Sequence, residues 1–174
     1  MVQNHEYLKL KPALVPSPLW YRSVCKVLGS KSKAWRSIRA QVLDAAKEAC
    51  YHCGAHHAKG MICHEVWDYD DSSHIARLNR FNLVCPDCDA VLHFGFTFVL
   101  AFRQEAEGKA NVIAEQRERV VAQLKQVNSI SEAEALAVME FAGRQHSERS
   151  RHSWQIEIAS SLIDAYPLLA NLRL

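Results

Sequence analysis

The sequence has no run of about eighteen apolar residues, so no membrane-spanning helix is expected. Its opening stretch, MVQNHEYLKLKPALVPSPLW, is broken by prolines and lacks both the continuous apolar run and the small-residue cleavage site of a secretory signal. A reduced, cytoplasmic setting is therefore expected. No internal repeat or low-complexity tract occurs. With 49% hydrophobic and 23% charged residues, the composition also excludes a wholly disordered or collagen-like chain. At 174 residues, the chain suits one domain, or a core with an appendage.

Excess charge of one sign is also lacking overall, since the net charge is +2. Its distribution is uneven. Residues 1–40 carry eight Lys/Arg and a single acid, a local excess of +7, whereas residues 41–110 sum to −4 and residues 111–174 to −1. A basic amino-terminal segment of this kind suits a phosphate backbone, and equally a solvated face. Lys31, Lys33, Arg36 and Arg39 are its candidate nucleic-acid contacts.

Three prolines, Pro12, Pro16 and Pro18, favour an extended course for the first twenty residues. From Ser32 the spacing of Trp35, Ile38, Val42 and Ala46 predicts a helix that runs into the first cysteine pair. MICHEVW and FNLVC read as strands, with DYDDSSHIARLNR between them as a polar loop holding a short helix. Pro86 opens a helix expected to continue to about residue 107, with VLHFGFTFVLAF as core. A further helix follows over NVIAEQRERVVAQLKQV, and Ser131 with Glu134 forms a capping box for the next. Trp154, Ile156 and Ile158 alternate with polar residues, which fits a short strand or a helix. The chain thus divides into a basic, largely extended arm (1–32), a core (33–107) and a helical carboxyl-terminal region (108–174) packed on that core.

Cysteine supplies the strongest signal. Cys50 and Cys53 form one Cys-x2-Cys pair, Cys85 and Cys88 another, with thirty-one residues between them. In a reducing compartment such pairs favour metal over disulfides. Four thiolates fill a tetrahedral zinc shell and leave no open position, so the site would be structural and would help to fold the domain. Near the pairs stands Cys63-His64-Glu65, at a predicted strand end. Asp89 and His93, four apart, share one face of the helix after the last cysteine. A histidine facing two ligands that hold a cation is a workable arrangement for cleaving phosphodiesters: the histidine deprotonates water and the cation stabilises charge on the phosphate.

The stretch CYHCG…ICHEVWDYDD…RLNRFNLVCPDCDAVLH resembles the HNH nucleases over about residues 35–95. The resemblance implies an α+β, helix-rich fold with a zinc-stapled ββα-metal core. It implies that His64 is the general base, that Asp89 and His93 bind a catalytic magnesium or other divalent cation, and that Cys50, Cys53, Cys85 and Cys88 hold structural zinc. Three positions depart from the family pattern. Cys63 stands where an acidic or histidine ligand is usual, and Asp89 where histidine is commonest. Arg80 occupies the usual asparagine position, with Asn79 and Asn82 flanking it. The tail, with VNSISEAEA and RSRHSW, is similar to that of some HNH-type proteins of bacteria and their phages. The expected function is a metal-dependent endonuclease acting on DNA. The alternative is a catalytically degenerate zinc module that binds nucleic acid or a protein partner, or that self-associates through its carboxyl-terminal helices.

Overall fold

The computed structural model describes residues 7–57 and 59–174. Its centre is a hairpin of β1 (Ile62–Asp70) and β2 (Ile75–Val84), to which β3 (Gln155–Ile158) adds in parallel beside β2. Around it lie α1 (Val24–Leu28), α2 (Lys33–Ala45), α3 (Pro86–Leu92), α4 (Phe94–Ala106), α5 (Val112–Asn128), α6 (Glu132–Arg149) and α7 (Ser160–Ala165). The fold is α+β, as expected.

The hairpin is longer than the sequence pattern predicts. DYDDSSHIARLNR is not a loop with a helix: it is the end of β1, a turn over 71–74 and the first half of β2. Asp70 builds the turn. Its Oδ1 accepts from the backbone N–H of Ser72 at 2.9 Å and of Ser73 at 3.2 Å, which satisfies donors that the reversal leaves free. A register shift between Val66 and Trp67 passes over Asn79. Side chains alternate along a strand, so this bulge turns Ala76 and Leu78 to the face shared by Phe81 and Leu83. The break in alternation at Asn79-Arg80 is what made the segment look irregular.

The hairpin therefore has two distinct faces. Cys63, Glu65, Phe81 and Leu83 point one way. His64, Val66, Arg80 and Asn82 point the other, because His64 pairs with Asn82 and Val66 with Arg80. The first face meets α2 and α7, with Trp35 and Tyr166 each edge-on to the Phe81 ring. As expected, Ser32 caps α2, its side chain accepting from the Trp35 N–H, and Trp35, Ile38 and Val42 are buried. Lys47 and Glu48 take left-handed backbone (φ 50° and 57°), which stops the helix ahead of the cysteines.

The second face meets α3. The helix from Pro86 does not run unbroken to residue 107. It ends at His93 (φ −114°, ψ 36°), and α4 begins anew. Nor is α4 a core helix: only Ala101 is buried, while Phe96 and Phe102 are 62% and 66% exposed. Its apolar residues ring the helix, and packing on one side cannot cover them all.

The amino-terminal segment is tied down within the described residues. Leu8 and Leu10 are buried, the Leu10 N–H donates to Asn128 Oδ1 at 3.0 Å, and Asn128 Nδ2 donates to the Leu10 carbonyl at 2.7 Å. The Ala13 N–H donates to the Leu92 carbonyl, and α1 lies further along this same arm. One cluster of buried residues runs from Leu8 to Leu169, so the arm, the hairpin and the carboxyl-terminal helices share a core. The capping box of Ser131 and Glu134 forms as expected, and Trp154, Ile156 and Ile158 resolve in favour of the strand, β3, that Gln155–Ile158 forms. Among the described residues no helix is long and apolar enough to cross a membrane.

Candidate metal centres

Two clusters of ligating side chains emerge among the described residues. The first joins Cys50, Cys53, Cys85 and Cys88, whose sulfurs all lie within 4.8 Å of one another. Cys53 Sγ and Cys85 Sγ are 3.7 Å apart. Two sulfurs on one tetrahedral ion, each about 2.3 Å from it, lie about 3.8 Å apart, whereas a disulfide brings them to about 2.05 Å. All four thiols are free. The spacing therefore suits a metal such as zinc. Gly54, at φ +73°, closes the first turn with backbone that a Cβ would strain. Pro86 opens α3 directly behind Cys85.

Donors converge on these sulfurs. The Cys85 N–H points at Cys50 Sγ at 3.3 Å, and the Cys88 N–H at Cys85 Sγ at 3.5 Å. A bond from the Cys88 thiol, then backbone N–H groups including that of Cys85, pull the Cys50 thiol down to about 4. Burial pushes the Cys85 thiol up to about 11. Each thiol must lose its proton to ligate a cation, so binding there releases protons and tightens as pH rises. From α5, Gln123 Nε2 donates to Cys88 Sγ at 3.1 Å, and Arg119 pairs with Asp87 at 2.6 Å.

The second cluster joins His64, Asp89 and His93, with ligand atoms again within 4.8 Å of one another. His64 Nδ1 is 3.2 Å from His93 Nε2 and 3.9 Å from Asp89 Oδ1. Two imidazole nitrogens on one tetrahedral ion, each about 2.0–2.1 Å from it, lie about 3.3 Å apart. Burial, then the neighbouring His93 and His52, push His64 down to about 3, and burial likewise lowers His93. Both imidazoles are thus neutral near pH 7, the form that offers a lone pair to a cation. Burial raises Asp89, and His93 and Arg119 pull it back. Across the strands from His64 stands Asn82, 6% exposed like His64 itself.

The expected site residues separate into groups. Cys50, Cys53, Cys85 and Cys88 come together, and so do His64, Asp89 and His93. Cys63, at the family's ligand position, faces away into the α2 side, where burial pushes its thiol up to about 12. Lys31, Lys33, Arg36 and Arg39 are exposed on α2 and the loop before it, and α2 packs through Trp35 on the Phe81 side of the hairpin rather than the His64 side. Arg39 is also engaged, donating to the Met61 carbonyl at 2.9 Å. Beside the His64 cluster stand residues with no such expected role. His52 takes part in the electrostatics of His64 and holds the Lys9 carbonyl at 2.6 Å. The segment through Lys9 and Lys11 crosses the end of α3. Asn82 could be found only through the register. Gln123 and Arg119 carry no local signal, since packing of α5 alone brings them in.

Compared with known proteins, the chain matches no family model, no curated protein and no solved structure.

Proposed function

We propose that this chain is a metal-dependent phosphodiesterase of HNH type acting on nucleic acid, DNA in the first instance, with a structural zinc at the four cysteines. The observation that carries this reading is the convergence of His64, Asp89 and His93 between a hairpin and the helix that follows the last cysteine pair. Three protein ligands leave positions open for water and substrate, as catalytic sites do, where four cysteines close a site. The mixed nitrogen and oxygen donors admit a harder cation than the thiolates do. When bound, a divalent cation would supply Lewis-acid stabilisation of charge developing on the phosphoryl oxygens. The residues of the chain do the rest. His64 and His93 offer neutral nitrogens, Asp89 offsets part of the cation's charge, and the exposed Lys9 and Lys11 bring positive charge to the segment that crosses the end of α3.

The spacing of His64 from His93 favours His64 as a cation ligand over the general-base role that the family resemblance implies. Cleavage of supercoiled plasmid and of single-stranded circular DNA by the zinc-loaded protein, with added magnesium, manganese or zinc, tests both points. His64→Ala and His93→Ala are expected to slow nicking about 10²-fold or more while retaining the four-cysteine zinc and the melting temperature. Rescue of both variants by raised cation marks two ligands, and rescue of His93→Ala alone returns His64 to the base role. A wild-type protein that cuts neither the plasmid nor the single-stranded circle with any of these cations overturns the proposal.

A further inference from the structure

Tyr51, inside the first cysteine pair, is 60% exposed, an unusual position for a ring so firmly anchored. Its backbone N–H donates to the Leu83 carbonyl at 2.8 Å, and Cys50 and Cys53 flank it closely. The His52 ring meets it edge-on at 5.1 Å, and the Arg80 guanidinium lies over it at 5.8 Å from the centroid. Neither neighbour is acidic. Arg80 shares the hairpin face of His64 and Asn82, one cross-strand pair further along. His52 in turn is close enough to the second cluster to act on His64 electrostatically. An exposed aromatic ring, with a guanidinium over it, thus lies beside the hairpin face that carries His64.

We infer that Tyr51, with Arg80 over one part of its ring and His52 at its edge, is a stacking platform for an unpaired nucleobase, which makes single-stranded nucleic acid the substrate class of the neighbouring site. The inference rests on the nuclease reading for the word substrate, but the platform itself needs only the geometry of these three residues. A base inside a duplex has both faces covered by its neighbours, so only an unpaired base can lie on a protein ring. Every base has such a face, so the platform selects strandedness rather than sequence. Arg80 adds a cation near the ring and a donor for the adjoining phosphate. The backbone that carries the ring is held by the cysteine turn and the bond to Leu83, so the platform needs no backbone ordering on binding.

The test is fluorescence anisotropy of the zinc-loaded full chain, without added magnesium or manganese. The probes are a labelled oligothymidylate, a labelled oligouridylate and a duplex of equal length. The wild type is expected to bind a single strand more tightly than the duplex. Tyr51→Ala is expected to weaken single-strand binding about tenfold and leave duplex binding unchanged, whereas Tyr51→Trp retains it. Dependence on Tyr51 with either the deoxy or the ribo strand supports the platform. Zinc content and melting temperature of each variant show that the fold is kept; should Tyr51→Ala lose zinc, Tyr51→Trp and Arg80→Glu carry the test, the first binding as wild type and the second more weakly. A duplex bound as tightly as the single strands, or binding indifferent to Tyr51, overturns the inference. Failure of the two ideas is distinguishable. Cation-dependent nicking without a Tyr51 effect removes the platform and keeps the nuclease, and Tyr51-dependent binding without nicking does the reverse.

Discussion

The two ligand clusters share α3 and differ in nearly everything else. One is four sulfurs, closed and braced by backbone N–H groups. The other is two imidazoles and a carboxylate, with fewer ligands than an ion accepts. The cysteine cluster straddles segments thirty-one residues apart, so an ion held there joins the turn ahead of the hairpin to the helix that follows it. The histidine cluster lies inside the frame thus made. On the proposed function the difference is a division of labour: one centre would fix the geometry, and the other would leave room for a reacting group.

Cutting the first centre should break both. Cys85→Ser is expected to abolish zinc binding and cooperative unfolding, because about 10 kcal/mol or more of binding free energy is folding free energy in small zinc sites. His93→Ala, by contrast, should cost only the second ion. Metal counted per chain by mass spectrometry under native conditions separates the outcomes, and a Cys85→Ser protein with full zinc and an unchanged melting temperature contradicts the division.

A subtler change sharpens the same contrast from outside. Gln123 donates to Cys88 Sγ from α5, in the region that sequence alone sets apart as 108–174. Partners one layer beyond the ligands typically set metal affinity by 10–100-fold. Gln123→Ala is expected to weaken zinc by about tenfold against a chelating dye and to shift the charge-transfer band of the cobalt-substituted protein, with cation binding at His64 and His93 unchanged. An unaltered cobalt spectrum shows that the contact is packing only.

A further contrast concerns the opposite hairpin face. Burial raises the Glu65 carboxyl to about 7, against bonds from the Cys25 and Val24 backbone and the Trp67 side chain, and its Oε2 has no hydrogen-bond partner among the described residues. A carboxyl raised on folding binds its proton more tightly in the native state. Its contribution is therefore complete below the unfolded value near 4.5 and is lost as pH rises through about 7. Glu65→Gln should remove that loss. Denaturant titrations at pH 5 and pH 8 are expected to differ by about 1–3 kcal/mol more in the wild type than in the variant. Equal differences in both proteins contradict the assignment.

How far the sequence could be read follows from the range of each interaction. The cysteine pairs were legible because each turn carries its own two ligands, and Asp89 with His93 because four residues bring a helix face round. The helix caps at Ser32 and Ser131 are equally local. Beyond that range the pattern fails for identifiable reasons. The Asn79 bulge reverses the apolar alternation within β2, so a ten-residue strand looked like a loop. The same register puts Asn82, not Arg80, opposite His64, and turns Cys63 away from the ligand position. His93 interrupts what reads as one helix. Tyr51, Gln123 and Arg119 owe their places to packing between segments that no short window contains.

The parallel pairing of β3 with β2 sets the order in which this molecule can assemble. Arg77 and Glu157, which clasp across those strands, are 80 residues apart in the chain. The β1–β2 turn, by contrast, closes over a few residues. Each doubling of a closed loop costs only about 0.6 kcal/mol at equilibrium, so the distant strand is thermodynamically cheap. Kinetically it is the slow contact, because non-local pairings must wait for the chain between them. Until it docks, the outer edge of β2 offers unpaired N–H and C=O groups beside Leu78, a template for intermolecular pairing. On these rules the nascent chain passes through a window in which its cysteine-bearing half can form while its sheet is open, and in that window aggregation competes with completion.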